Sequence, residues 1–250
     1  QRVSRILELC RLQKNLQEEV RIQTKEAQEQ RRQVELLSEE IMKTLANTID
    51  AKDRYTNGHS IRVAEYAKEI AKRDGKTEKQ QEDIFFIGLL HDIGKIFIPP
   101  EILQKKEKLS EEEFEIMKTH TTKGYEFCKA TEHLAPYAKG AKSHHENGDG
   151  TGYPEKLKDG NIPTEAEIIK VADVYDALIS RRQYRDGYNR KTAIQILKEE
   201  TDKKRLNRKI FKALLKVILE DIEEDKKKED RDLRTLLTQQ HYINNILQIY

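Results

Sequence analysis

The sequence predicts an all-α protein, and three observations carry that expectation. Residues 6 to 44 contain neither Gly nor Pro and place apolar side chains at a seven-residue spacing. After Asp50 the chain breaks into shorter amphipathic stretches separated by turn signals, and no stretch shows sustained strand alternation. The composition, 37% charged and 36% hydrophobic, is rich in Lys, Glu, Leu and Ile, which lose little rotamer freedom in a helix or suit its apolar face.

The first element is one long helix, assigned to residues 1–44. Its heptad seam runs through Ile6, Leu9, Leu16, Val20, Ala27, Val34, Leu37 and Ile41. Gln13, Gln23, Gln30 and Thr44 interrupt that seam, which suits a signalling helix able to change register or partner better than a rigid strut. At about 1.5 Å per residue it reaches roughly 60 Å. We expect a homodimer through the residues before Ile41.

The second region, residues 45–222, reads as the principal domain. Asn57-Gly58, Asp74-Gly75, Pro99-Pro100 and the stretch Gly148 to Pro154 mark its turns. Ser110 followed by Glu113 predicts a capping box at a helix start, with His120 late on that helix. From Ala166 to Ser180 an apolar helix carries Asp173 and Asp176 on one face. Asp173 stands among Val171, Ala172 and Val174, and a carboxylate in such surroundings needs a partner. The third region, 223–250, opens with a wholly charged run to Asp232, read as a linker, and ends in a helical tail carrying Leu236, Leu237, Ile243, Ile246 and Ile249.

A net charge of +2 nominates no bulk nucleic acid as partner. No apolar run approaches the roughly 20 residues of a membrane span. Cys10 and Cys128 match no metal-binding spacing and fit a reduced, cytoplasmic compartment. A chain opening on Gln1 leads us to expect an upstream sensor or receiver domain.

The histidines point to chemistry. Of seven, all but His133 and His241 fall at His59, in the His91–Lys95 run HDIGK, at His120, and in His144-His145-Glu146. Imidazole and carboxylate ligands without thiolate suit a catalytic transition-metal site better than a closed structural zinc cage. Asp92 beside His91 can offer one oxygen to each of two ions, as in hydrolases that displace at phosphorus between ions roughly 3.5–4 Å apart. Lys95 stands one helical turn after His91, on the same face.

The ordered set DRYTNGHS (Asp53–Ser60), HDIGK (His91–Lys95), IMKTH (Ile116–His120), HHENGDGTGYP (His144–Pro154) and VADVYDAL (Val171–Leu178) resembles the HD-GYP branch of the HD phosphohydrolase superfamily, over about Leu45 to Ile222. The resemblance implies an all-α HD-superfamily bundle and hydrolysis of cyclic di-GMP to pGpG, often on to GMP. It makes His59, His91, Asp92 and Asp173 ligands of one ion, with Asp92 bridging to a second held by His120, His144 and His145. It assigns Lys95, with Asp92, to catalysis, and Lys95, Arg182, Arg185, Gly152 and Tyr153 to substrate. Two divalent ions, iron or manganese, are the implied cofactors. Diguanylate cyclase (GGDEF) domains are implied as partners of the glycine-rich loop.

This chain departs from the family pattern at several points. Tyr55 stands where relatives with a third metal place Glu, which favours two ions. Pro100, Lys105-Lys106-Glu107, Asn147-Gly148, Glu167 and Gln183 replace usual residues of the lid and outer layer. Two other readings therefore stand beside the phosphodiesterase: a catalytically weak receptor or interaction module, and an enzyme for cyclic GMP-AMP.

Overall fold

Among the described residues every regular element of the computed structural model is helical, and a single isolated bridge, Asp149 to Lys158, is the only β pairing. The structure describes residues 2–53, 58–180, 186–226 and 233–250. It divides into two units, Gln1–Thr44 and Leu45–Tyr250. Helix α1 runs Arg2–Lys52. Within the first unit the seam residues Leu16, Val20, Val34 and Leu37, and Ile41 after them, are exposed. None of the described helices is long and apolar enough to cross a membrane.

In the second unit α1 ends at Lys52, and α2 (His59–Arg73) begins after Gly58, whose φ of +67° is the left-handed conformation that glycine adopts without steric cost. A capping box at Thr77 and Gln80 starts α3 (Glu78–Leu90). A 3-10 turn follows at Ile93–Phe97, then the short α4 (Pro100–Leu103). The expected capping box at Ser110 and Glu113 starts α5 (Glu111–Lys129), which runs on far enough that His120 lies near its middle rather than late. After α6 (Ala138–Ser143) and the glycine-rich loop come α7 (Thr164–Ile179), α8 (Arg190–Asp202), α9 (Arg208–Lys226) and α10 (Leu233–Ile249).

The core forms where α2 packs against α3, α7 and α9. Val63, Ala67 and Ile70 of α2 meet a layer that includes Ile84 and Leu90 of α3, Ile169 and Tyr175 of α7, and Phe211, Leu214 and Ile218 of α9, all buried. Burying each large aliphatic or aromatic side chain stabilises by about 1.5–3 kcal/mol, an upper bound set against an extended chain. At the α2–α3 crossing a Cβ on Gly88 would lie 2.6 Å from the Ala64 Cα, so only glycine lets these backbones approach so closely. Helix α9 extends into the charged run, and its Asp225 is buried against Arg190 at 3.1 Å. Helix α10 docks on α8 and α9 through Leu236, Ile243 and Ile246, leaving Leu237 and Ile249 outside.

Candidate metal centre

Five elements converge on one polar spot in this apolar core. The start of α2 brings His59, the end of α3 brings His91 and Asp92, α5 brings His120, the end of α6 brings His144 and His145, and α7 brings Asp173. The 3-10 turn after Asp92 lies directly on α5, because a Cβ at Gly94 would fall 1.8 Å from the His120 carbonyl oxygen. Glycine at position 94 is thus a packing requirement, and it sets the spacing between Asp92 and His120.

The convergent side chains sort into two groups. Asp92, His120, His144 and His145 have ligand atoms mutually within 4.8 Å, and so have His59, His91 and Asp173. Asp92 stands between them. Its Oδ1 lies 3.4 Å from His120 Nε2 and 3.9 Å from His144 Nε2, while its Oδ2 lies 3.3 Å from His91 Nε2. The Nε2 atoms of His120 and His144 are 3.4 Å apart, and His59 Nε2 is 3.1 Å from Asp173 Oδ1. The buried Nε2 of His91 has Asp92 Oδ2 at 3.3 Å but makes no well-aligned hydrogen bond, and a buried nitrogen left so costs about 1–3 kcal/mol. Nitrogen and carboxylate oxygen donors at these separations fit divalent transition metals.

Four of the five rings are aimed from behind. Nδ1 donates to a backbone carbonyl in three of them: His91 to Gly88 at 2.6 Å, His120 to Met117 at 2.7 Å and His144 to Ala141 at 2.7 Å. His59 Nδ1 donates instead to Asp176 Oδ2 at 2.7 Å, and Arg62 anchors that carboxylate through Nε at 2.7 Å and Nη2 at 3.0 Å. Such contacts fix the tautomer and leave Nε2 facing inward. The sequence shows Asp173 and Asp176 on one helix face. It does not show that the second aims a histidine.

The two groups differ electrostatically. Burial disfavours charge on His59, yet its hydrogen bonds to Asp173 and Asp176 outweigh this and push the ring up to about 10. Burial, reinforced by neighbouring imidazoles, holds His144 and His145 well below the usual histidine range, and so neutral. Asp92 stays ionised despite burial because Lys95 and His91 adjoin it.

Residues 93–97 form a 3-10 turn rather than continuing α3, and Lys95, three positions on, reaches Asp92. Its Nζ lies 2.8 Å from Asp92 Oδ2 and 2.9 Å from Asp53 Oδ2, and burial of the ammonium is outweighed by these two carboxylates, which keep it charged. Asp53 belongs to the DRYTNGHS motif, but nothing in the sequence pairs it with Lys95.

A cavity of about 590 Å³ opens beside the site, lined by His145, Tyr153 and Asp173 with Phe114, Lys118 and Arg205. Tyr153 stacks on His145 at 4.8 Å and 27°. Gly152 passes so close to the backbone that a Cβ would lie 2.3 Å from Asn147 N. Buried Glu146 closes this loop by accepting from Glu155 N at 2.6 Å and Leu157 N at 2.9 Å, and Lys170 donates to the Glu146 carbonyl and the Asn147 side chain. Arg182 and Arg185, expected to meet substrate phosphates, lie outside the described residues, as do Tyr55 and Gln183.

Residues 43–210 match the family model described as HD domain. The chain is 36% identical over 195 residues to a cyclic di-GMP phosphodiesterase of Thermotoga maritima, covering 77% of this chain and 53% of that protein. It is 35% identical over 181 residues to the 3'3'-cGAMP-specific phosphodiesterase 1 of Vibrio cholerae, covering 71% and 42%. The chain thus spans about half the length of these relatives or less. In fold it is similar to a V. cholerae cyclic GMP-AMP specific phosphodiesterase (V-cGAP3; TM-score 0.56, 20% identity, covering 82% of this chain and 53% of that one). It is also similar to Bd1817, an HDG"Y"P protein of Bdellovibrio bacteriovorus (TM-score 0.54, 21% identity, covering 66% and 53%). With HDIGK and HHE converging in space, the chain belongs to the HD domain family.

Proposed function

We propose that this chain is a dinuclear phosphodiesterase that opens cyclic di-GMP to pGpG or GMP. The observation that carries the reading is Asp92, whose two oxygens turn one to each ligand group. His59, His91, Asp173 and Asp92 would hold one ion, and Asp92, His120, His144 and His145 the other, with iron or manganese suited to this donor set. When bound, such a pair supplies a water nucleophile near neutral pH and charge stabilisation at phosphorus.

The protein residues then have definable tasks. Lys95, kept cationic by Asp92 and Asp53, meets negative charge developing on the phosphoryl oxygens. The Nδ1 contacts preset the imidazoles, so no reorientation is required at the moment of reaction. Tyr153, stacked on His145 and facing the cavity, offers a flat surface to a base. Arg182 and Arg185 would bind the second phosphate through their planar forks.

The relatives that act on 3'3'-cGAMP support a second reading, in which the same site prefers the mixed dinucleotide. Anaerobic incubation of the metal-loaded protein with each dinucleotide, followed by chromatography and metal counting, separates the readings. Linear product from cyclic di-GMP, lost on His91→Ala, is expected. A faster reaction with cyclic GMP-AMP reassigns the substrate. Intact dinucleotides with both metals retained overturn the enzyme reading in favour of a receptor.

A further inference from the structure

The end of α1 contacts the catalytic turn directly. Lys52 directs its ammonium onto three backbone carbonyls there: Ile96 at 2.8 Å, Ile98 at 3.1 Å and Lys95 at 3.4 Å. These carbonyls lie at and just past the C-terminal end of the 3-10 turn, whose negative end favours a cation, and the Lys95 carbonyl also accepts from Ile98 N at 3.1 Å. Among the described residues Lys52 pairs with no carboxylate; carbonyls are its acceptors. The next residue, Asp53, accepts from Lys95 Nζ at 2.9 Å. Lys95 is therefore gripped at its backbone by Lys52 and at its tip by Asp53.

Three further bonds fasten the grip. Gln104, just past α4, donates to the Lys52 carbonyl at 3.2 Å, and Asp50 accepts from Ser60 N at 3.0 Å and Ser60 Oγ at 2.7 Å, next to His59. One helix end thus touches both segments that feed the site, the start of α2 and the 3-10 turn.

We infer that Lys52 is a positioning residue for Lys95, fixing the backbone from which the catalytic ammonium reaches the reacting phosphate. The inference rests on the function proposed above, since Lys95 acts only there. A long side chain held at its tip alone would let its backbone drift, and misplacement of about 1 Å can reduce turnover about 100-fold.

The test compares Lys52→Met, which keeps the stem and removes the donors, with Lys52→Arg, which keeps a cation. Lys52→Met is expected to lower kcat about tenfold at unchanged KM and metal content, and Lys52→Arg to recover most of the loss. Added to Lys95→Met it should cause no further loss, because two residues acting as a unit are not additive. Independently of turnover, hydrogen exchange of amides 93–98 in the metal-loaded protein should quicken in Lys52→Met and not in Lys52→Arg. Losses that multiply in the double variant, or exchange at 93–98 left unchanged, overturn the inference. If the wild type turns over no cyclic dinucleotide, the proposed function fails and the exchange result alone decides whether Lys52 holds the turn. Should Lys52→Met not fold, Lys52→Gln is read in the same way.

Discussion

Asp176 illustrates how much of this site lies behind its candidate ligands. It is fully buried, receives Nδ1 of His59 and is itself held by Arg62. Removing a carboxylate that orients a metal-binding imidazole typically costs ten- to a hundredfold in metal affinity, so Asp176→Asn should weaken loading by about that factor in a chelator competition with the fold retained. The same contacts predict a proton count. With His59 pushed up to about 10, the metal-free protein carries a proton there at neutral pH that an ion must displace. Calorimetric loading in two buffers of different ionisation heat should show net proton release; equal heats would contradict it. A folded pKa raised from 6.5 to about 10 also gives the sign of the pH dependence. The folded state binds the extra proton across that window, so metal-free stability should fall as pH rises through it, and the loaded protein should lack that slope.

At the scale of elements, close backbone packing decides geometry. The 3-10 turn can lie on α5 only because residue 94 has no side chain. Gly94→Ala would force the two apart, and overpacking of this kind costs about 1–3 kcal/mol or more. Denaturant unfolding should register that loss, together with weaker metal binding as His120 moves from Asp92. The loop from Glu146 to Leu157 depends on one buried carboxylate with two backbone donors. Glu146→Gln leaves one of those N–H groups facing the wrong partner, so we expect a loss of about 1–3 kcal/mol and faster hydrogen exchange at residues 155–157.

For the whole molecule, the apolar seam of α1 is the feature that one copy leaves uncovered. Leu16, Val34 and Leu37 are each more than half exposed, at 63%, 63% and 57%. We propose that a second copy covers them as a coiled coil. Light scattering at micromolar concentration should report a dimer, and a chain starting at Leu45 should be monomeric while keeping its metals. A monomeric full chain would remove the coiled coil.

The helical class, the capping box at Ser110 and the seven metal-binding candidates were all legible in the sequence, because each rests on residue type and short spacing. HDIGK and HHE supply their donors from adjacent positions, and the Gly-free, Pro-free heptads of α1 declare a helix by themselves. Sequence could not show that residues 93–97 tighten into a 3-10 turn from which Lys95 reaches Asp92, nor that Lys52, Asp53, Glu146 and Asp176 serve the site. Those contacts join residues from 9 to 117 positions apart or depend on backbone carbonyls, which carry no residue signature. Residue type and the family pattern thus nominated the atoms that could bind metal. Only the tertiary structure, with α5 packed on the turn after Asp92 and side chains of α1, α2 and α7 hydrogen-bonded around the site, decided which residues aim those atoms and hold them in place.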